Sequence, residues 1–167
     1  PSRNGVGPSC VALVPGPWPS LLDFLVARFP AIGPAVWLQR MASGLVLDQE
    51  GTAISSNPPY RPHRRVYYYR EVLAEPPIVF AAQVLYQDEH LLVADKPHFL
   101  PVVPSGGYLN ETLLVRLKQQ LGLDDLVPLH RLDRDTAGLV LFCKQSASRG
   151  AYSALFRQHA VFKTYHA

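Results

Sequence analysis

The sequence predicts an α+β fold with mixed, mainly antiparallel sheets, in which a small helix-helix-strand module precedes a larger part. The 16 prolines among 167 residues place many strand ends and turns along the chain. Apolar repeats at helical spacing occur in both halves, and short apolar runs bounded by turn residues separate them. With 48% hydrophobic and 17% charged residues, the composition is that of a folded globular protein.

Two helices are predicted near the start of the chain. Residues 1–19 are rich in Pro, Gly and Ser, and we expect little structure there. A helix follows Ser20, which can cap its first turn, and Pro30 stops it. Pro34 suits the first position of a second helix, and Gly44 suits the left-handed residue after its last turn.

The predicted small module also contains short strands. Glu75-Pro76-Pro77 interrupts regular structure, which places the module at residues 20–75 and the second part at 76–167. The expected strands of the module cover residues 45–47, 53–54 and 67–70.

The second part is predicted to contain a hairpin, a helix, a buried strand and a final helix. The first of these helices is capped by Asn110 or Thr112, carries one stripe of leucines and closes at Gly122. Ser146 is the expected cap of the final helix. The hairpin strands cover 84–86 and 91–94, the buried strand 139–143, and the final helix 147–159.

Cysteine content and hydropathy narrow the class of protein. Cys10 and Cys143 are the only cysteines, and their spacing supports neither a disulfide framework nor a thiolate metal site. A reducing, cytoplasmic setting is therefore expected. No apolar run approaches the roughly 20 residues of a spanning helix, so no membrane partner is expected.

Charge is distributed unevenly along the chain. The net charge is only +3, but residues 61–79 carry four arginines against two glutamates. Residues 128–167 carry six Lys or Arg against two Asp. Such clusters can hold a polyanion, although a solvated charged surface has the same composition.

Residues 130–135 contain five ionisable groups in a predicted loop before the buried strand. Each unpaired charge would cost several kcal/mol to bury, so the loop is either exposed or organised as a site. Three interpretations follow. The loop is a surface turn with ion pairs, a metal site of His130, Asp133 and Asp135, or a carboxylate that works beside phosphate-holding arginines.

The ten residues HRLDRDTAGL at 130–139 resemble the signature of the RluA-type family of RNA pseudouridine synthases. Ala137 stands where that family usually has serine. Asp95-Lys96-Pro97 is similar to the family's Lys-Pro turn, and Lys163-Thr164-Tyr165 is similar to its Lys-x-Tyr segment. The resemblance covers residues 84–167 and implies the N-terminal part of a catalytic domain that lacks its C-terminal part. Residues 20–70 more loosely resemble a small ribosomal-protein-type RNA-binding module.

The resemblance implies isomerisation of specific uridines to pseudouridine in structured RNA, rRNA or tRNA, with no cofactor and no metal. Asp133 matches the essential carboxylate, which can act as a nucleophile or as a base. Arg131 matches an arginine that engages RNA and can pair with that carboxylate, and Tyr165 matches the active-site tyrosine. Contacts to RNA phosphates are expected from Arg134, Lys144, Arg149, Arg157 and Lys163.

Other residues have structural or alternative interpretations. His130, Thr136 and Gly138 are expected to order the loop. The basic segment before residue 67 is either an RNA-facing patch or a solvated loop. Its members are Arg61, Arg64 and Arg65. Two alternatives to the synthase remain: a non-catalytic RNA-binding fragment, and metal-dependent phosphoesterase chemistry at the loop.

Overall fold

The computed structural model describes residues 2–72 and 74–166, which form two compact units. The first unit spans Gly7–Glu71, and the second contains Ser2–Val6 together with the chain from Val72 onward. The division after Glu71 lies four residues before the predicted boundary. Both units combine helices with antiparallel strands, so the α+β fold class is confirmed. Over the described ranges, every helix is too short or too polar to cross a bilayer.

The first unit is a three-stranded antiparallel sheet with two helices. Its elements are β1 Ser9–Ala12, α1 Leu21–Arg28, α2 Pro34–Ala42, β2 Val46–Leu47 and β3 Arg65–Tyr68. Strand β3 lies between the other two. The expectation of little structure in residues 1–19 is wrong for β1, because pairing with the distant β3 orders it and buries Val11. A Pro/Gly/Ser-rich composition does not reveal such a non-local pairing.

Both helices of the first unit begin as predicted. The Ser20 hydroxyl accepts a hydrogen bond from the Asp23 N–H, and the Ser20 N–H donates to the Asp23 carboxylate. Pro34 occupies the first turn of α2, and Gly44 has a φ of +65° just after that helix. The apolar face of α1 and α2 packs into the core of this unit, where Phe24, Leu25 and Trp37 are almost fully buried.

Of the predicted strands in this unit, one is displaced and one is absent. The strand expected over 67–70 is β3, which begins at Arg65 because Arg65 pairs with Ala12 of β1. Residues 53–54 do not form a strand, since Ala53 makes only an isolated bridge to Leu47. The tertiary pairing therefore sets strand ends that local composition left open.

The second unit is a four-stranded antiparallel sheet covered by helices. Its elements are β4 Gln83–Gln87, β5 Leu91–Lys96, α3 Leu113–Leu121, β6 Val127–Pro128, β7 Gly138–Cys143 and α4 Ser146–Arg157. The strand order is β4-β5-β7-β6. The predicted hairpin is confirmed as β4 and β5, and β5 pairs along its whole length with β7. Leu92, Val140 and Phe142 from these central strands are fully buried.

The helices of the second unit differ in how they are fixed. Thr112 caps α3 through its hydroxyl, and Gly122 ends it with a φ of +67°. Gln145 rather than Ser146 is the N-cap of α4 and makes no side-chain cap bond, so that predicted cap is wrong. No residue within α4 is buried, whereas α3 buries Leu113 and Leu117 against the sheet.

Candidate active site

The predicted site stretch, residues 130–139, lies in the loop of residues 129–137, which connects β6 to β7, and in the first two residues of β7. The Leu129 N–H donates to the Leu141 carbonyl at 2.8 Å, and the Leu141 N–H donates to Nε2 of His130 at 3.1 Å. A turn is closed by the Thr136 N–H, which donates to the Asp133 carbonyl at 3.1 Å. Gly138 follows with a φ of +127°, a conformation that glycine adopts readily. The loop is thus fixed by backbone and imidazole contacts to β7.

A buried ammonium holds this loop against a second turn. Lys96, at the end of β5, has no solvent exposure. Its Nζ donates to the carbonyl oxygens of Pro97 at 3.0 Å, Leu100 at 2.9 Å and Arg134 at 3.0 Å. All three ammonium protons therefore have an acceptor, which compensates for burial of the charge. Sequence reasoning did not assign this role; the available signal was a lysine closing an apolar strand.

The charges around Lys96 act in opposite directions. Burial lowers the pKa of the Lys96 ammonium, and the negative charges of Asp135 and Asp133 partly oppose that shift. Both aspartates are exposed. The buried Lys96 ammonium is thus a positive charge near the carboxylates of Asp133 and Asp135, and water screens it weakly.

The acidic and basic side chains of the loop are exposed and sparsely paired. The Arg134 Nε donates to Oδ1 of Asp135 at 3.0 Å. Arg131 and Asp133 both lie in the part of the chain that the structure describes, and they form no ion pair with each other. The expected pairing of this arginine with the carboxylate is therefore absent. The carboxylate of Asp133 therefore remains open to solvent and to a substrate.

Asp133 lines an open cleft of about 580 Å³ together with Arg131, Leu132 and Arg134. The opposite wall is formed by the segment 101–108, whose tip is closed by reciprocal backbone hydrogen bonds of 3.0 Å between Ser105 and Tyr108. This volume lies in the range of typical ligand pockets. The structure thus brings Asp133, Arg131 and Arg134 together in one cleft.

The residues that directly follow the cleft wall are fastened by the carboxylate of Glu75, which lies in the segment between β3 and β4. Glu75 accepts hydrogen bonds from the backbone N–H groups of Leu109 at 2.6 Å, Asn110 at 2.9 Å and Glu111 at 2.6 Å. Burial by itself raises the pKa of Glu75, but these hydrogen bonds outweigh it and lower the pKa. In the sequence, Glu75 belongs to the Glu-Pro-Pro run that interrupts regular structure, whereas in the fold it orders residues 109–111, which follow the segment 101–108 of the cleft.

Tyr165 lines a second cleft, of about 400 Å³, with His130, Thr136 and Gly138. The His130 ring stacks on Phe156 with centroids 5.2 Å apart. Burial lowers the pKa of His130, the positive charge of Lys163 lowers it further, and the Arg131 backbone opposes the shift. Leu132 lines both clefts, so Asp133 and Tyr165 are on neighbouring surfaces, and Tyr165 does not line the Asp133 cleft.

The predicted phosphate-binding residues fall into two groups. Lys144 donates to the Asp88 carbonyl, and Arg149 donates to the Asp125 carbonyl at 3.4 Å, so both brace their own unit. Arg157 is exposed, and Lys163 lies 5.3 Å above the Phe156 ring. In the first unit, the exposed arginines line a separate cleft of about 290 Å³ that also contains Asp48 and Glu50; they are Arg61, Arg64 and Arg65.

The metal interpretation is not supported by the geometry. Across residues 2–72 and 74–166, no three side chains of His, Cys, Asp or Glu come close enough to share a metal ion. His130 uses Nε2 to accept from Leu141, and Asp135 pairs with Arg134. The three residues proposed as ligands therefore do not converge.

The fold and the cleft define a class of site. A solvent-accessible carboxylate lies beside two arginines, in a loop whose backbone is fixed by a buried lysine. Arginines suit a polyanionic substrate, and a carboxylate held among them stays tolerable beside phosphates. Such an arrangement suits carboxylate chemistry beside an anionic substrate.

Residues 90–167 match the family model described as RNA pseudouridylate synthase. This region of the chain therefore belongs to the RNA pseudouridylate synthase family, in agreement with the resemblance of the 130–139 motif. The first unit lies outside the matched region.

Curated relatives extend the similarity over most of the chain. The chain is 33% identical over 145 residues to an RNA pseudouridine synthase of Synechocystis. The aligned residues cover 87% of this chain and 50% of that relative. The chain is 32% identical to the tRNA pseudouridine(31) synthase of Saccharomyces cerevisiae, covering 92% of this chain and 43% of that protein. A tRNA pseudouridine synthase C of Vibrio cholerae is 38% identical over 51% of this chain and 35% of its own length. The chain thus spans half or less of the length of these relatives.

Proposed function

We propose that this chain contributes the Asp133 part of the catalytic site of an enzyme that isomerises uridine to pseudouridine in structured RNA. The observation that carries the proposal is the cleft in which Asp133 lies with Arg131 and Arg134, within the region matched by the family. Isomerisation breaks the bond between the ribose and a ring nitrogen and forms a bond from the same ribose carbon to a ring carbon. The ring carbon that forms the new bond loses its proton, and the released ring nitrogen takes up a proton, so the atoms balance and no redox partner is needed.

Asp133 is the proposed reacting carboxylate. It is exposed and forms no ion pair with Arg131, so a substrate can approach its carboxylate. Two routes use such a group: attack on the sugar or base as a nucleophile, or removal of a sugar proton as a base. Deuterium at the sugar position that loses a proton separates them, since only the second route gives a primary isotope effect.

The target uridine must leave its stack to reach Asp133. Flipping a base costs a few kcal/mol, which phosphate contacts offset. Arg131 and Arg134 are the proposed partners at the cleft, and Arg157 and Lys163 are the proposed partners beside it. Lys144 and Arg149 are weaker candidates because each already donates to a backbone carbonyl of its own unit.

Tyr165 is proposed to stack on the flipped base or to relay a proton through its hydroxyl. Its present position supports a role that depends on movement, because it is exposed and lines the neighbouring cleft. In the first unit, the exposed arginines support contacts to the RNA away from the target; they are Arg61, Arg64 and Arg65.

The proposed substrates are tRNA first and ribosomal RNA second. Two of the relatives are named for tRNA, which motivates that order. A cytoplasmic setting follows from the same assignment and from two cysteines without paired spacing.

The test is detection of pseudouridine as carbodiimide adducts on tRNA and rRNA incubated with the protein. The wild type should give adducts at defined uridines, and the Asp133→Asn variant should give none. Asp125→Asn is the matched control, since it removes an exposed carboxylate of the same unit that does not line the cleft, and it should retain product. Equal product from wild type and Asp133→Asn would refute the assignment.

A non-catalytic RNA-binding role is the second candidate. The placement of Asp133 and Tyr165 in different clefts favours it. RNA retained on a filter by the wild type, with no adduct formed on either RNA, would support binding without isomerisation.

A further inference from the structure

The turn that follows Lys96 carries a bulky residue in an unusual backbone conformation. Phe99 has a φ of +66°, in the left-handed region that favours glycine. The carbonyls of Pro97 and Leu100 on either side of it are held by the Lys96 ammonium, so the turn is fixed in this shape. A glycine would adopt the same turn without strain.

Burial of the Phe99 side chain offsets only part of this backbone strain. The Phe99 side chain is 51% exposed, so it recovers about half of what a core phenylalanine gains from leaving water. The strain and this gain are of the same order, so the ring adds little to the stability of the fold. A strained, half-exposed aromatic residue beside a site suggests a role with a ligand.

Two further aromatic rings lie next to Phe99. The His98 ring centroid is 5.9 Å away and that of Phe80 is 6.3 Å away. Phe80 is 49% exposed, and its carbonyl is held by the Arg116 guanidinium at 2.7 Å. We call His98, Phe99 and Phe80 the aromatic triad.

The aromatic triad is joined directly to the Asp133 loop. Nδ1 of His98 is 2.7 Å from the carbonyl oxygen of Asp135, and Lys96 bonds both the Phe99 turn and the carbonyl of Arg134. His98 and the Phe99 turn are therefore anchored to the loop that carries Asp133, Arg131 and Arg134. Exposed rings beside guanidinium groups are the pairing that holds unstacked bases and their phosphates.

We propose that the aromatic triad, with Phe99 at its centre, is a stacking site for an RNA base adjacent to the target nucleotide. The occupant is a nucleobase because Lys96 holds the carbonyl of Arg134 together with the Phe99 turn, and the loop that His98 contacts carries Arg131 and Arg134, which suit RNA phosphates. Flipping a uridine leaves its neighbours without a stacking partner, and the triad supplies one. This inference rests on the proposed function and adds a substrate-binding surface to the same site.

The test compares RNA binding by wild type, Phe99→Leu and Phe99→Trp. The probe is a fluorescein-labelled oligouridine, followed by anisotropy, with an abasic strand of the same phosphate number as its control. Loss of one stacked base is worth about fivefold to a hundredfold in affinity. Phe99→Leu should weaken oligouridine binding by that factor, Phe99→Trp should keep it, and the abasic strand should bind all three proteins equally.

Two further measurements test whether a change in affinity comes from binding at another surface or from unfolding of the variant. An oligouridine with 5-iodouridine should photocrosslink to Phe99, and thermal melting of Phe99→Leu should match the wild type. The stacking site would be overturned if Phe99→Leu bound oligouridine with unchanged affinity or if the crosslink formed at another residue. It would also be overturned if Phe99→Leu melted at a markedly lower temperature, as expected for a packed core residue. Failure of pseudouridine formation alone, with the Phe99 effects present, would overturn the proposed function and leave the stacking site standing.

Discussion

The two clefts that share Leu132 differ in how many hydrogen bonds and buried contacts hold them in place. The Asp133 loop is fastened by Lys96, with three carbonyl acceptors, and the residues just after the other cleft wall are fastened by Glu75, with three backbone donors. The Tyr165 cleft is bordered by the segment after α4, a helix without a buried residue, and Tyr165 itself is 64% exposed. The comparison indicates that the carboxylate side of the site is preorganised in this chain and that the tyrosine side is positioned by few contacts.

The largest expected effect on stability comes from Lys96. Lys96→Met keeps the volume but removes the donor from three carbonyls, and we expect a loss of about 3 kcal/mol of unfolding free energy. Urea unfolding followed by circular dichroism measures it. The exposed Lys163→Met should change stability by less than about 1 kcal/mol. Equal midpoints for both variants would show that the buried ammonium does not hold the two turns together.

A smaller and pH-dependent effect is expected for Glu75. Its lowered pKa means that the ionised form stabilises the fold fully above the ordinary glutamate pKa of about 4.3. That contribution is lost as pH falls through the lower folded-state pKa.

Glu75→Gln should therefore cost about 1–2 kcal/mol at neutral pH and remove part of the acid dependence of unfolding. Urea midpoints measured from neutral pH down to pH 3 reveal this, with exposed Glu89→Gln as the matched control. A parallel pH profile for Glu75→Gln and wild type would contradict the role of the carboxylate.

The smallest effect concerns the Tyr165 side. Tyr165→Phe should leave the urea midpoint unchanged within about 0.5 kcal/mol, because an exposed hydroxyl without a buried partner contributes little. Backbone amides of residues 158–166 should exchange with solvent far faster than those of β5 and β7, measured by mass spectrometry. Protection of that segment equal to that of β5 would remove the contrast between the two clefts.

Much of the fold could be predicted because its signals are local. Ser20, Pro34 and Gly122 mark helix ends through hydrogen bonds and φ values that lie within one turn of sequence. Strand β1 could not be predicted, since its order comes from pairing with β3 more than fifty residues away. Ser146 failed as a cap because the preceding Gln145 already has the extended cap conformation.

The site could be predicted only in part. The motif at 130–139 predicted Asp133, Arg131 and Arg134 as site residues, and these three line one cleft in the structure, while their catalytic roles stay predictions. The supporting roles of Lys96 and Glu75 were not predicted. A lysine is rarely buried, and Glu75 belongs to a Glu-Pro-Pro run that was interpreted only as an interruption of regular structure. Their roles depend on acceptors and donors brought from Leu100, Arg134 and residues 109–111 by the tertiary fold.

The most direct test of the account is the single-turnover rate of pseudouridine formation by wild type and Asp133→Asn, with RNA affinity measured in the same samples. A preorganised carboxylate predicts a rate at least about 10²- to 10⁴-fold lower for Asp133→Asn. It also predicts an RNA dissociation constant within about threefold of the wild type, since the arginines are intact. A variant that binds RNA normally and reacts at the wild-type rate would contradict the central role of Asp133.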